Sequence, residues 1–151
     1  MNHPVVAATL PPALPRPALR IAYAVVVPFM LGALLVWLVR PDARPYASQA
    51  LSVYAGTVVA LLGGVHWGLA MRHASPAPAR FAWGLASVGA ASVAVMMPPD
   101  AGLVLHGAML AGCYLVDRKV YPRESLAHWL TLRFRLSAIA SLSCFLGAAG
   151  A

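Results

Sequence analysis

Five apolar blocks, nearly free of charge and each about long enough to cross a bilayer, constrain this chain more than any other feature. They fall at 21–39, 47–71, 81–97, 101–116 and 132–147. A backbone in lipid must satisfy its own hydrogen bonds, so blocks of this length read as transmembrane helices. The blocks at 81–97 and 101–116 are short for a crossing and predict nearly upright helices or a locally thinned bilayer. Composition agrees: of 151 residues 61% are hydrophobic and only 10% charged, against roughly 25% charged in a soluble domain.

The punctuation between blocks sets their ends. Residues 1–17 contain Pro4, Pro11, Pro12, Pro15 and Pro17 and read as an extended or flexible arm. Residues 18–151 then form a single five-helix domain. Pro28 lies inside the first block and predicts a kink near Tyr23–Ala24. The first block is longer than a signal peptide's apolar region, and no clean A-x-A site directly follows it. Pro98-Pro99-Asp100 predicts a tight hairpin, Asp117-Arg118-Lys119 closes the fourth block, and Leu126–Thr131 reads as a stretch lying along the interface.

Charge gives an orientation. With the N-terminus inside, the inner segments hold Arg16, Arg20, Arg72, Arg80, Arg118, Lys119, Arg123, Arg133 and Arg135, and the outer loops only Arg40 and Arg44. Nine against two predicts N-in, C-out for an all-α bundle in a bacterial inner membrane. The net charge of +7 flanks apolar blocks instead of forming one patch, which argues against nucleic acid.

The second block carries YAGTVVALLGGVHWG at 54–68. Lipid tolerates histidine poorly, so His66 must face protein, a cavity or a ligand. Gly64 and Gly68 form a small-xxx-small pair, extended by Gly56 and Ala60, and predict a close helix contact on that face. His66 lies about five residues from the inner end of its helix, or ~7 Å. At that level stand Asp117, Trp67, Trp129 and Arg133. Asp117 shares a helix face with Cys113 and His106. Gly64, His66, Trp67, Gly68, Asp117, Trp129 and Arg133 are therefore the candidate binding residues. They suit a lipid headgroup or a quinone head, or a contact with another membrane subunit.

His106 sits near the outer end of the fourth block, more than ~10 Å from the His66 level, which argues against a shared haem. Cys113 and Cys144 have no metal-ligand spacing and read as buried thiols. No catalytic motif is present and only four residues are acidic, so neither a catalytic residue nor a metal or cofactor is assigned. An accessory or assembly role in the membrane is the main expectation. A small-solute or ion transporter or channel is the alternative, though the polar lining for it is thin. An enzyme using His66 as base lacks acid partners at mid-depth.

YAGTVVALLGGVHWG at 54–68, Asp117, and HWLTLRFRLS at 128–137 together resemble the DUF3429 family. These are small multi-span proteins of proteobacteria, with a transmembrane protein 69-like relative in mitochondria. The resemblance covers roughly residues 20–147 and implies membrane placement but no activity. It singles out Gly64, His66, Trp67, Gly68 and Arg133.

Overall fold

The structure is a computed structural model that describes residues 14–75 and 77–151. Six α-helices follow in order: α1 (Arg16–Ala24), α2 (Val27–Leu38), α3 (Arg44–Met71), α4 (Pro78–Met96), α5 (Pro99–Val120) and α6 (Leu130–Gly150). Two 3₁₀ turns, Tyr121–Glu124 and Ala127–Trp129, join α5 to α6. There is no strand among the described residues. With α1 and α2 taken as one broken segment, five segments are long and apolar enough to cross a membrane. The all-α bundle read from the sequence is the fold.

Proline sets the helix starts. Pro17, Pro28, Pro45, Pro78 and Pro99 each lie in the first turn of α1 to α5, where an absent N–H removes no helical bond. Pro28 also creates the break expected before it. It offers no N–H to the carbonyl of Ala24, and the chain leaves the helix at Val25–Val26. The break is held by neighbours: the Tyr54 hydroxyl donates to the Val25 carbonyl at 2.8 Å, and the Tyr54 ring meets Phe29 edge-on at 5.1 Å. Of the proline-rich arm, residues 1–13 lie outside the described residues. Its last two residues, Arg16 and Pro17, are already helical.

Three boundaries differ from the sequence reading. α5 does not stop at Val116 but runs through Asp117, Arg118 and Lys119 to Val120. Exposed Arg118 and Lys119 complement the negative end of the helix dipole, and Asp117 is buried by partners described below. α4 and α5, with 19 and 22 residues, are of ordinary crossing length, ~28 and ~33 Å. Leu126–Thr131 contains a 3₁₀ turn, Ala127–Trp129, and α6 is already under way at Leu130, two residues before the expected start of the fifth segment.

α3 lies at the centre of the bundle and touches α2, α4, α5 and α6. The core joins Phe29 and Ala33 of α2, Leu51, Ala55 and Val59 of α3, Ala91 of α4, Leu103 and Leu110 of α5, and Ala140 and Cys144 of α6. The distribution of side chains is inverted relative to a soluble protein. Leu34, Leu61, Leu85, Leu115 and Leu142 are exposed, whereas Ser52, His66, Ser87, His106, Asp117 and Ser141 are buried. Lipid suits the first set; the second is held by hydrogen bonds, within its own helix for Ser87, which donates to the Trp83 carbonyl at 2.9 Å, and between helices for the others. Thus Ser141 donates to the Gly107 carbonyl at 2.8 Å, and His106 Nδ1 lies 3.4 Å from Ser52 Oγ.

The glycine face of α3 is a correction. The buried stripe is Gly56, Val59, Gly63, His66 and Ala70, which leaves Gly64 and Gly68 outward with open space beside them. Gly63 makes the close contact: a methyl there would lie 2.8 Å from both the Gly84 carbonyl oxygen and Ser87 Cβ of α4. The helical period of 3.6 decides this, because a residue one position away on the helix is turned by ~100°.

Candidate functional site: a histidine, an aspartate and an arginine from three helices

α3, α5 and α6 each send one polar side chain to the same level. His66 Nε2 lies 3.0 Å from Asp117 Oδ1, and Arg133 Nε donates to Asp117 Oδ2 at 2.6 Å. A carboxylate only accepts, so His66 Nε2 carries the proton of that bond. Both oxygens of Asp117 are thereby satisfied. His66 and Asp117 are only 1% and 2% exposed, so this ion cluster lies inside the protein. A buried charge is tolerable only when paired and hydrogen-bonded. The cluster therefore fixes the register of three helices at one end of the bundle.

Two tryptophans from the α3–α4 side complete the packing in different ways. Trp83 of α4 stands edge-on to His66, with ring centroids 6.5 Å apart and planes at 83°. Its buried Nε1 has no hydrogen-bond partner. Trp67, a candidate from the sequence, turns away. Its Nε1 donates to the Phe81 carbonyl at 3.0 Å, its ring packs on Phe81, and its indole lies where any side chain at Gly84 would fall. Trp67 pins α4 to α3 and does not join the ion cluster. Gly64 and Gly68 also stay outside it.

Arg133 also lines two adjoining cavities. The larger, about 350 Å³, is lined by Ala22, Tyr121, Leu126, Trp129, Leu132, Arg133 and Leu136. The smaller, about 170 Å³, shares Ala22, Arg133 and Leu136 and runs beneath the α1–α2 break past Phe29, Leu62 and Ser137. Ser137 is buried, and its hydroxyl has no hydrogen-bond partner. Of the candidate residues, His66, Asp117 and Arg133 meet directly. Trp129 joins them through the cavity wall.

Sequence reasoning missed a second ion cluster at this end. Glu124 Oε1 accepts from Arg80 Nη2 at 2.6 Å, and His73 Nε2 lies 3.0 Å from both Glu124 oxygens. This strap ties the α3–α4 connection to the 3₁₀ turn after α5. A signal for it existed. Only two acids, Asp117 and Glu124, lie among the nine basic residues assigned to that end, so both were bound to find partners. Ser137 and Trp83 gave no comparable signal, because an unpartnered polar atom is a property of packing.

His106 lies eleven residues from Asp117 on α5, ~16 Å along the axis, and takes no part. Among the described residues no group of three His, Cys, Asp or Glu side chains could hold a metal ion. Cys113 and Cys144 are free and buried.

No curated protein and no solved structure matches the chain significantly. The family described as "Protein of unknown function (DUF3429)" matches residues 14–149. That match spans nearly the whole described bundle, ion cluster and cavities included, and the chain belongs to the DUF3429 family.

Proposed function

We propose that this protein is a small multi-pass protein of a bacterial inner membrane that binds a membrane-soluble amphipathic molecule, a lipid or a quinone, and serves as an accessory or assembly factor. One observation carries the reading. Arg133 is shared between a buried ion cluster, which fixes it in place, and an apolar cavity of about 350 Å³. Small-molecule sites have this form, mostly apolar walls with a few fixed polar groups, and volumes of roughly 300–1,000 Å³. The excess of basic residues at this end, nine against two, supports an inner-leaflet position and an N-terminus inside.

The test is extraction of the intact protein in mild detergent, then mass spectrometry of what remains bound. A lipid or quinone should be retained in stoichiometric amount by the wild type and lost from Arg133→Gln. The same lipid mixture on both, in the proportions of the membrane, would overturn the reading. A retained protein subunit, with an empty cavity, would replace it with a purely protein-binding role.

A further inference from the structure

Building on that reading, we infer that the two adjoining cavities together take the head of a benzoquinone-type ligand, with one ring carbonyl on the Arg133 guanidinium, which lines both, and the opposite carbonyl on the Ser137 hydroxyl beside the smaller. Charge comes first. Asp117 sits 2.6 Å from Arg133 Nε and offsets its positive charge, so a phosphate drawn to Arg133 would also meet a carboxylate. No second cation lines either cavity, whereas phosphate sites gather several charged donors. Arg118, Lys119, Arg123 and Arg135 are all exposed and do not line the cavities. A neutral carbonyl suffers no such repulsion. It needs only an N–H donor, and with Nε on Asp117 and one N–H toward the Tyr121 hydroxyl the guanidinium still has further N–H groups to give.

Spacing comes second. Ser137 follows Arg133 by four residues on α6, one turn, so the two side chains lie on the same face ~5–6 Å apart along the axis. A ring with carbonyls on opposite corners can therefore meet both side chains from one side of α6. The Ser137 hydroxyl is buried without a partner, and Ser137 lines the smaller cavity, so a turn about its Cα–Cβ bond would aim the hydroxyl into it. A ligand carbonyl would satisfy this otherwise costly hydroxyl. Trp129 and Tyr121 flank the larger cavity and offer faces or edges to a planar ring. Val26, Phe29 and Leu62, beneath the α1–α2 break, supply an apolar path for a tail.

The experiment uses the full chain in nanodiscs of phosphatidylcholine, titrated with a decyl-substituted benzoquinone and read by tryptophan fluorescence. A parallel titration adds phosphatidylglycerol, read by native mass spectrometry. Saturable quenching is expected, with most of its amplitude lost in Trp129→Phe. Ser137→Ala should weaken binding about three- to tenfold, the effect of one neutral hydrogen bond, with an unchanged fold. Arg133→Gln should weaken it further. If that variant does not fold, Ser137→Ala and Trp129→Phe still decide. Quinone binding of equal affinity in Ser137→Ala overturns the two-carbonyl seat. Selective retention of phosphatidylglycerol without quinone binding overturns the inference and leaves the amphipath-binding reading standing. Binding of neither overturns both.

Discussion

Asp117 accepts one bond at each oxygen, from residues that the chain places 51 positions before it and 16 after it. Removing its charge leaves Arg133 without a counter-ion in a largely apolar setting. Asp117→Asn should therefore destabilise the bundle by on the order of 3 kcal/mol, read as a lower midpoint in detergent thermal unfolding. Stability equal to wild type would show that water reaches the site and screens it. The glycines give a paired prediction on α3. Gly63→Ala puts a methyl 2.8 Å from the Gly84 carbonyl and Ser87 Cβ, and should cost ~1–3 kcal/mol. Gly64→Ala meets nothing within 4 Å and should be neutral or stabilising by up to ~1 kcal/mol through helix propensity. Equal effects at the two positions would mean that the α3–α4 contact is mistaken. At this scale the sequence was legible where depth alone decided. His66, Asp117 and Arg133 were brought together because each lies a countable distance from a charged helix end. It was illegible where azimuth decided. Three glycines within six positions can be paired in several ways, and only the packing of α4 selects Gly63.

Among the elements, apolar runs announced the helices and prolines announced their starts, so all five crossing segments could be read from the chain. Their polar ends could not. Asp117-Arg118-Lys119 reads as a stop when charge is taken as a marker of water, yet Asp117 is buried by Arg133 and His66 and the helix continues past it. The connections obey the same logic. Glu124 holds Arg80 Nη2 and His73 across two loops, and the second terminal nitrogen of Arg80, Nη1, is buried without a partner. Glu124→Gln keeps the shape and removes the charge. It should release the α3–α4 connection, giving faster proteolysis between Arg72 and Arg80 and faster amide exchange there, while the exchange of α6 stays as in wild type. Unchanged cleavage in that connection would assign the strap no mechanical role. The exposed Arg40–Asp42 pair at the opposite end, 3.4 Å apart, is the contrast. Exposed pairs of this kind contribute ~0–1 kcal/mol, so Asp42→Asn should leave the thermal midpoint within error.

For the whole molecule, five segments are long and apolar enough to cross, five crossings would put the two termini on opposite sides, and the up-and-down connectivity sorts the basic residues to one end of the bundle or the other. Arg16 and Arg20 precede α1. Arg72 and Arg80 flank the α3–α4 connection. Arg118, Lys119, Arg123, Arg133 and Arg135 surround the α5–α6 connection. All nine therefore gather at the end that holds both ion clusters, and Arg40 and Arg44 lie at the other. Orientation in an inner membrane follows the lysine and arginine counts of short flanking segments, with acids contributing little, so the pairing of Arg80 and Arg133 with carboxylates does not alter the expectation. A phosphatase or β-lactamase reporter fused after Gly150 should be active outside the cytoplasm. A fluorescent reporter that folds only in the cytoplasm should be bright when inserted in the 72–77 connection. The reverse pattern would invert the bundle and place the Arg133 cavity in the outer leaflet. Both reporters on one side would instead mean that one of α4, α5 and α6, the segments between the two insertion points, does not cross. Moving charge is the sharper arm of the test. Replacing exposed Arg118, Lys119 and Arg123 with glutamine still leaves six basic residues against two, so the orientation should hold. Adding four lysines to the 39–43 connection of that variant makes the counts equal, and a mixed population should follow. An orientation that survives this loss of bias would have to be fixed by the ion clusters and the packing of α3, not by the charge asymmetry.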